Sequence, residues 1–151
     1  MSAAGSGAGP EPGAAPRPSA SEADTFALGK ELGSTLHGGE IVVLEGELGA
    51  GKTVYARGIA AALGIDPRDV GSPTFIIVDR HQGRLTLYHA DLYRLDREEE
   101  VLDLGLDELA TKEAVLVVEW GERLPAELRA SAIVVRISDP GEESRTISVT
   151  R

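Results

Sequence analysis

Short runs of consecutive apolar residues, bounded by glycine or by polar residues, divide the chain into predicted strands. Residues 41–44 and 114–118 are apolar throughout, which is typical of strands covered on both faces of a sheet. β-type runs also occupy residues 75–79 and 85–88, and residues 80–84 between them predict a hairpin with a longer loop. Two final strands are predicted at residues 133–137 and 146–149, on either side of Asp139-Pro140-Gly141.

Three other segments carry the spacing or the end signals of helices. Ser21, followed by an acidic residue three positions later, resembles a capped helix start, and apolar residues then recur at helical spacing to residue 36. Residues 53–63 predict a second helix that ends at Gly64, and residues 98–110 predict a third. Because few helices separate the strands, the pattern predicts an α/β fold with a mixed sheet flanked by helices.

The beginning of the chain differs from the rest in composition. Residues 1–20 are almost wholly Ala, Gly, Ser and Pro, and they offer no apolar anchor that would offset the entropy lost on ordering. We therefore expect a disordered tail at residues 1–20 and one small domain over residues 21–151.

Composition and charge restrict the cellular compartment and the classes of partner that the sequence predicts. The chain has no cysteine, which excludes disulfides and thiolate metal sites, and no apolar run approaches the ~20 residues that cross a bilayer. These features predict a cytoplasmic protein without a membrane partner. The net charge of −10 argues against strong direct binding to nucleic acid and favours a protein partner with a basic face. The same charge also suits solubility alone, and the sequence leaves both interpretations open.

One segment predicts a specific chemistry. It reads Gly46-Glu47-Leu48-Gly49-Ala50-Gly51-Lys52-Thr53 and fits the phosphate-loop pattern G-x-x-x-x-G-K-[ST], with an apolar strand before it and a helix after it. Its glycines let backbone N–H groups surround a phosphate, and the helix N-terminus adds positive charge. Lys52 is expected to reach the β- and γ-phosphates and the Thr53 hydroxyl to ligate Mg²⁺. A chance glycine-rich turn is the alternative, and the flanking strand and helix argue against it.

Further sequence patterns indicate which nucleotide is bound and which acidic residue helps to hold Mg²⁺. The Asn-Lys-x-Asp and Asp-x-x-Gly motifs of common GTPases do not occur, so the sequence favours ATP over GTP. An acidic residue at the end of an apolar strand usually helps to hold Mg²⁺ in such proteins. Glu119 follows residues 114–118 and Asp91 ends the run that begins at residue 85. Either one also fits an ordinary strand-end carboxylate in solvent.

Four motifs follow one another in a specific order. They are the phosphate loop, Ser72-Pro73-Thr74-Phe75, His89-Ala90-Asp91-Leu92-Tyr93-Arg94-Leu95, and Glu119-Trp120. This order resembles the TsaE family of small bacterial ATPases in tRNA threonylcarbamoyladenosine biosynthesis. The resemblance implies a P-loop NTPase-like fold and weak Mg²⁺-dependent hydrolysis of ATP in support of TsaD and TsaB, which place the threonylcarbamoyl group. It also implies contact with tRNA only through that complex.

The resemblance further implies roles for single residues. Lys52 and Thr53 keep the phosphate and Mg²⁺ roles given above, and Glu119 matches the family's Mg²⁺-linked acid. Asp91 matches the other essential carboxylate, which orders either a metal-bound water or the attacking water. Thr25 matches a threonine near the adenine.

Four more residues belong to these motifs. Three of them have two interpretations each, and the fourth has one. Trp120, the single tryptophan, is either a core side chain or part of the nucleotide pocket or partner face, and its place after Glu119 favours the latter. Thr74 either senses the γ-phosphate or caps the next strand, and Arg94 either stabilises phosphate charge or forms a structural ion pair. His89 is expected to be an ordinary strand residue beside the site.

Two other functions use the same loop. A small-molecule kinase would pass the γ-phosphate to a substrate under an arginine-bearing lid, but residues 121–131, with Arg123 and Arg129, are short and interrupted by proline. A regulatory module would bind nucleotide without hydrolysing it, and the sequence leaves this alternative open.

Overall fold

The computed structural model describes residues 16–46, 51–71, 77–93, 95, 97–138 and 145–151 of the 151-residue chain. Its strands are β1 (Arg17–Ser19), β2 (Ile41–Glu45), β3 (Val78–Gln82), β4 (Thr86–Asp91), β5 (Ala114–Glu119), β6 (Ile133–Ser138) and β7 (Arg145–Thr150). Its helices are α1 (Glu22–Gly33), α2 (Lys52–Ala62), α3 (Glu98–Leu102) and α4 (Ala126–Ala130), with 3₁₀ turns at Pro67–Asp69, Leu106–Glu108 and Gly121–Arg123. Across these described ranges, every helix is too short or too polar to span a membrane.

The strands form one mixed sheet in the order β1-β7-β6-β2-β5-β4-β3. The central strands β6, β2, β5 and β4 run parallel, whereas β7, β1 and β3 each pair antiparallel with their neighbours. The predicted mixed α/β sheet is therefore confirmed. Because parallel strands end at the same edge, the carboxyl ends of β2, β5 and β4 place Glu45, Glu119 and Asp91 along one edge of the sheet.

An apolar layer covers each face of this sheet. Successive side chains of β5 point to opposite faces, so Val115 and Val117 join the layer beneath α1 and α2, while Leu116 and Val118 join the other layer. Burial on both faces explains why residues 114–118 are apolar throughout instead of alternating with polar residues.

Glycines allow α1 and α2 to pack closely. A Cβ atom added at Gly58 of α2 would lie 2.2 Å from the carbonyl oxygen of Phe26 in α1. A Cβ atom at Gly29 of α1 would likewise lie 2.2 Å from the carbonyl oxygen of Tyr55 in α2. Neither position has room for a side chain, so the backbones themselves are in contact. This contact fixes α2, the helix that follows the phosphate loop.

The prediction of a disordered tail over residues 1–20 was wrong at its C-terminal end. Arg17–Ser19 form β1, which pairs antiparallel with β7. The segment is held by polar contacts in place of apolar anchors. The Ser19 and Thr25 hydroxyl oxygens lie 2.7 Å apart, and Arg17 forms an ion pair of 2.9 Å with Glu31. Residues 1–15 lie outside the described residues.

Four predicted elements also have different bounds. The helix predicted over residues 98–110 is interrupted after α3, because Gly105 adopts a left-handed φ of 64° before a short 3₁₀ turn. The hairpin loop predicted at residues 80–84 is shorter, since β3 continues to Gln82 and the turn spans residues 83–85. The first helix ends at Gly33, before residue 36. The second runs to Ala62, one residue short of the predicted end.

Candidate nucleotide-binding site

The predicted phosphate loop leaves β2 at Gly46 and enters α2 at Lys52. Gly51, directly before the helix, has a left-handed φ of 108°, a conformation that favours glycine. The first turn of α2 has no acidic residue, and no side-chain hydrogen bond caps it within the described part of the chain. Its N–H groups and the positive end of its dipole therefore face the loop, where an anion is stabilised. Glu47, Leu48, Gly49 and Ala50 lie outside the described residues and stay predictions.

Lys52 lies between the start of the loop and an aromatic ring. Its Nζ donates a hydrogen bond of 2.5 Å to the carbonyl oxygen of Gly46 and lies 4.1 Å from the centre of the Trp120 ring. The Tyr93 ring contacts the same indole, with ring centres 5.0 Å apart. The structure thus places Trp120 at the phosphate loop. Trp120 also packs against the apolar layer on one face of the sheet, so its role in the nucleotide pocket stays a prediction.

The backbone at Trp120 is held in an unusual conformation. Trp120 has a φ of 62°, and it is the single non-glycine residue with positive φ in the described ranges. Such a conformation is strained for a bulky side chain and persists where the surroundings fix it. The following Gly121 packs directly on β2, since a Cβ atom there would lie 1.8 Å from Cγ1 of Val43. The turn after β5 is therefore fixed against the strand that leads into the phosphate loop.

Thr53, Glu119 and His89 meet at the end of β5. The Thr53 hydroxyl donates to the Glu119 carboxylate, with distances of 3.1 Å to Oε1 and 3.0 Å to Oε2. His89 Nε2 lies 2.7 Å from Oε2 of the same carboxylate. Glu119 is only 3% exposed and His89 is fully buried, so this carboxylate is shielded from water. The sequence predicted the proximity of Thr53 and Glu119 but missed the contact with His89.

The hydroxyl and carboxylate at this point suit a Mg²⁺ ion. Two neighbouring ligand oxygens of an octahedral Mg²⁺ lie about 2.9 Å apart, given Mg–O distances of about 2.0–2.1 Å. The Thr53–Glu119 distances of 3.0 and 3.1 Å are close to this value. No group of three or more acidic or histidine side chains able to hold a metal occurs in the described ranges. Mg²⁺ in nucleotide sites usually takes its remaining ligands from phosphate and water oxygens.

Asp91 lies beside this group on the neighbouring strand. Asp91 of β4 is the register partner of Glu119 in β5, and its Oδ1 accepts a hydrogen bond of 3.0 Å from the N–H of Tyr93. Partial burial raises the pKa of Asp91, and the nearby negative charge of Glu119 raises it further. The Tyr93 N–H group, His89 and Lys52 act in the opposite direction without cancelling the rise. Asp91 is thus a half-buried carboxylate with raised proton affinity, next to the candidate metal ligands.

Thr25 lies on α1, near the residue where the phosphate loop enters α2. Its Cγ2 is 3.6 Å from the position that a Cβ atom on Gly51 would occupy, and Arg145 Nε is 3.7 Å from that position. Thr25 is buried through the hydroxyl contact with Ser19 described above. The structure therefore places Thr25 at the end of the loop, and it adds Arg145, which the sequence did not indicate.

An ion-pair network around one buried carboxylate supports the strand that leads into the loop. Glu45, the last residue of β2, is 3% exposed, and its carboxylate lies 2.5 Å from Arg129 of α4 and 2.8 Å from Arg136 of β6. Arg123 donates to the carbonyl oxygen of Leu95 and lies 5.9 Å from the centre of the Trp120 ring. Both arginines considered for a kinase lid are therefore engaged within the domain. No local pattern in the sequence indicated these partners, because all of them are distant along the chain.

Two predicted elements of the site have no structural test. Ser72-Pro73-Thr74-Phe75 and Arg94 lie outside the described residues, so their alternatives stand as the sequence left them.

Comparisons with known proteins agree with this architecture. The sequence profile of the family described as "Threonylcarbamoyl adenosine biosynthesis protein TsaE" matches residues 19–147. The TsaE protein of Treponema pallidum is 40% identical over 131 residues, covering 87% of this chain and 96% of its own length. The TsaE protein of Bacillus subtilis is 40% identical over 128 residues, covering 84% and 79% respectively.

A solved structure has the same fold. The crystal structure of Bacillus subtilis YdiB superposes with a TM-score of 0.69 at 30% identity, over 89% of this chain and 83% of that one. The fold is accordingly the P-loop NTPase-like α/β fold that the family resemblance implied. With a profile that matches most of its length and relatives at 40% identity, the chain belongs to the TsaE family.

Proposed function

We propose that this protein binds and hydrolyses ATP as an accessory factor in the threonylcarbamoyladenosine modification of tRNA, beside the anticodon. The observation that carries the proposal is the contact between Thr53 of the phosphate loop and the buried Glu119 carboxylate, at 3.0 Å. This contact joins the two elements that a Mg-nucleotide site needs, namely a loop that binds phosphate and a strand-end acid. Family membership supports the biological setting.

Each residue of the site has a distinct task in this proposal. Lys52 neutralises charge on the β- and γ-phosphates, and the N-terminus of α2 binds them through its N–H groups. Thr53 and Glu119 hold Mg²⁺, which withdraws charge from the phosphate oxygens when it is bound. Asp91 orders a water molecule, either the metal-bound one or the attacking one. Its raised pKa suits a group that accepts a proton from water more readily than an exposed aspartate.

Thr25 marks the side on which the nucleoside part of ATP binds. It lies on α1, and its Cγ2 is 3.6 Å from the position that a Cβ atom on Gly51 would occupy. We assign Thr25 to the adenine side of the pocket because it matches the threonine that the family resemblance places near the adenine.

The site is expected to act inside a protein complex. We assign TsaD and TsaB as the partners, with tRNA contacted only through them, and the cytoplasm as the compartment. A net charge of −10 supports a protein partner with a basic face and disfavours direct binding to the tRNA backbone. The cysteine-free chain is compatible with a reducing compartment.

Nucleotide binding should change the fluorescence of Trp120. Lys52 Nζ lies 4.1 Å from the centre of that ring, and a bound γ-phosphate would draw the ammonium group away from it. We expect titration with Mg-ATP to shift the tryptophan emission to saturation, and the signal to be unambiguous because the chain has one tryptophan. Lys52→Met serves as the control, since it removes the ammonium group and should abolish most of the change. An unchanged emission at full nucleotide occupancy, measured by calorimetry, would contradict this arrangement.

The function is tested by measuring Mg-ATP turnover for the protein alone and then with TsaD and TsaB. We expect slow turnover alone, stimulation by the two partners, and loss of turnover in Lys52→Ala by at least about a hundredfold. Turnover that is unchanged by the two partners but rises with a small metabolite would favour the small-molecule kinase instead. Tight Mg-ATP binding without turnover, even with both partners, would favour the regulatory module.

A further inference from the structure

His89 occupies a position that the proposed roles leave unexplained. It lies in β4, two residues before Asp91, and is paired in register with Val117 of β5. Its side chain is completely buried, yet it extends to the end of β5 and places Nε2 2.7 Å from Oε2 of Glu119. The imidazole therefore contacts the carboxylate that we assign to Mg²⁺.

The hydrogen bonds around Glu119 are asymmetric. Thr53 lies within 3.1 Å of both carboxylate oxygens, whereas His89 contacts Oε2 alone. A donor that engages one oxygen fixes the rotation of the carboxylate plane and leaves the other oxygen turned toward the remaining ligands. In this site the oxygen without a histidine contact is Oε1, which lies 3.1 Å from the Thr53 hydroxyl.

The other nitrogen of the ring argues against a purely structural role. His89 Nδ1 is buried and has no hydrogen-bond partner in the described part of the chain. Buried polar atoms without partners are uncommon because desolvation is not compensated, and an apolar residue at this position would avoid that cost. The imidazole is therefore best explained by its single polar contact, in which Nε2–H donates to Glu119.

We propose that His89 is a positioning residue that orients the Glu119 carboxylate for the Mg²⁺ of the bound nucleotide. This inference rests on the proposed function, because it presupposes that Thr53 and Glu119 hold the metal. His89 contacts neither nucleotide nor metal itself. Its loss should therefore weaken the Mg²⁺-dependent part of nucleotide binding and leave the Mg²⁺-independent part intact.

Three variants separate positioning from folding. His89→Leu removes the donor at similar volume, His89→Gln keeps an N–H donor at nearly the same reach as Nε2, and His89→Asn carries an amide that is too short. His81→Leu is the matched control, because His81 lies on the neighbouring strand β3 and contacts Asp79 at 3.3 Å instead of the site. Circular dichroism and thermal unfolding report whether each variant is folded.

The readout is ADP affinity, measured by calorimetry across a Mg²⁺ titration and again in EDTA. We expect His89→Leu and His89→Asn to need about 10–100-fold more Mg²⁺ for the same affinity, the usual effect of losing a residue that supports a metal ligand. Affinity in EDTA should stay within about twofold of wild type, and His89→Gln and His81→Leu should behave like wild type.

Three results would overturn the proposal. The first is a Mg²⁺ requirement in folded His89→Leu or His89→Asn equal to that of wild type. The second is an equal loss of affinity with and without Mg²⁺, which indicates a structural role. The third is wild-type protein whose ADP affinity does not depend on Mg²⁺, and this result alone would overturn the proposed function as well. If His89→Leu does not fold, the proposal is tested by comparing the Mg²⁺ requirements of His89→Gln and His89→Asn.

Discussion

Asp91→Asn is expected to lower ATP turnover by at least about a hundredfold while nucleotide affinity changes by less than about threefold. Loss of a group that orders or accepts a proton from water typically costs about 10²–10⁴-fold in rate. Affinity should be retained, because in the proposed site Lys52, Thr53 and the N-terminus of α2 supply the phosphate contacts. Turnover is measured with TsaD and TsaB present, and affinity by calorimetry with Mg-ADP.

The stability of the same variant provides its internal control. The raised pKa of Asp91 means that the folded protein disfavours the ionised carboxylate, and this penalty is complete above the folded-state pKa. It disappears below the ordinary aspartate pKa of about 3.9, where both states are protonated. A neutral amide at this position carries no such penalty, so Asp91→Asn should raise the free energy of unfolding in urea at pH 7.5, with a gain that shrinks toward pH 4. Full turnover in Asp91→Asn, or lower stability at pH 7.5, would contradict the account of this residue.

Gly58→Ala is expected to lower the free energy of unfolding by about 2–3 kcal/mol, since overpacking of a tight contact costs roughly this much. The added methyl group would lie 2.2 Å from the Phe26 carbonyl oxygen, which is backbone and cannot rotate away. The intrinsic preference of helices for alanine over glycine offsets at most about 1 kcal/mol of the cost. Urea unfolding followed by circular dichroism measures the change.

Gly71→Ala is the matched control for this prediction. A Cβ atom at Gly71 would lie 3.6 Å from Nη2 of Arg57, an ordinary contact with a flexible side chain. We expect this variant to stay within about 0.5 kcal/mol of wild type, as is usual for substitutions that create no clash. Equal stability of the two variants would show that α1 and α2 are not in backbone contact.

The strands and the loop could be predicted because their signals are local. Residues 41–44 and 114–118 are apolar throughout since both faces of β2 and β5 are buried, and no other element explains so short a run. The phosphate loop was recognisable because each of its positions answers a requirement of phosphate binding. Parallel pairing of β4 with β5 then brings Asp91 next to Glu119, as expected of strand ends on a shared edge.

The features that the sequence missed depend on partners far along the chain. β1 forms because β7, about 130 residues later, offers a strand edge to a segment that has no apolar anchor of its own. His89 looked ordinary because its contact with Glu119 follows from the register of β4 against β5, which no local pattern encodes. Glu45 likewise gains Arg129 and Arg136 only once α4 and β6 are placed beside β2.

The most direct test of the central claim is the amount of threonylcarbamoyladenosine formed on tRNA in a reconstituted reaction. The reaction contains TsaD, TsaB, an activated threonylcarbamoyl donor, Mg-ATP and either the wild-type protein, Asp91→Asn or His81→Leu. We expect sustained modification with wild type and His81→Leu, and little beyond the level without this protein for Asp91→Asn. Modification by Asp91→Asn equal to that of wild type would contradict the claim that ATP hydrolysis at this site is the protein's contribution.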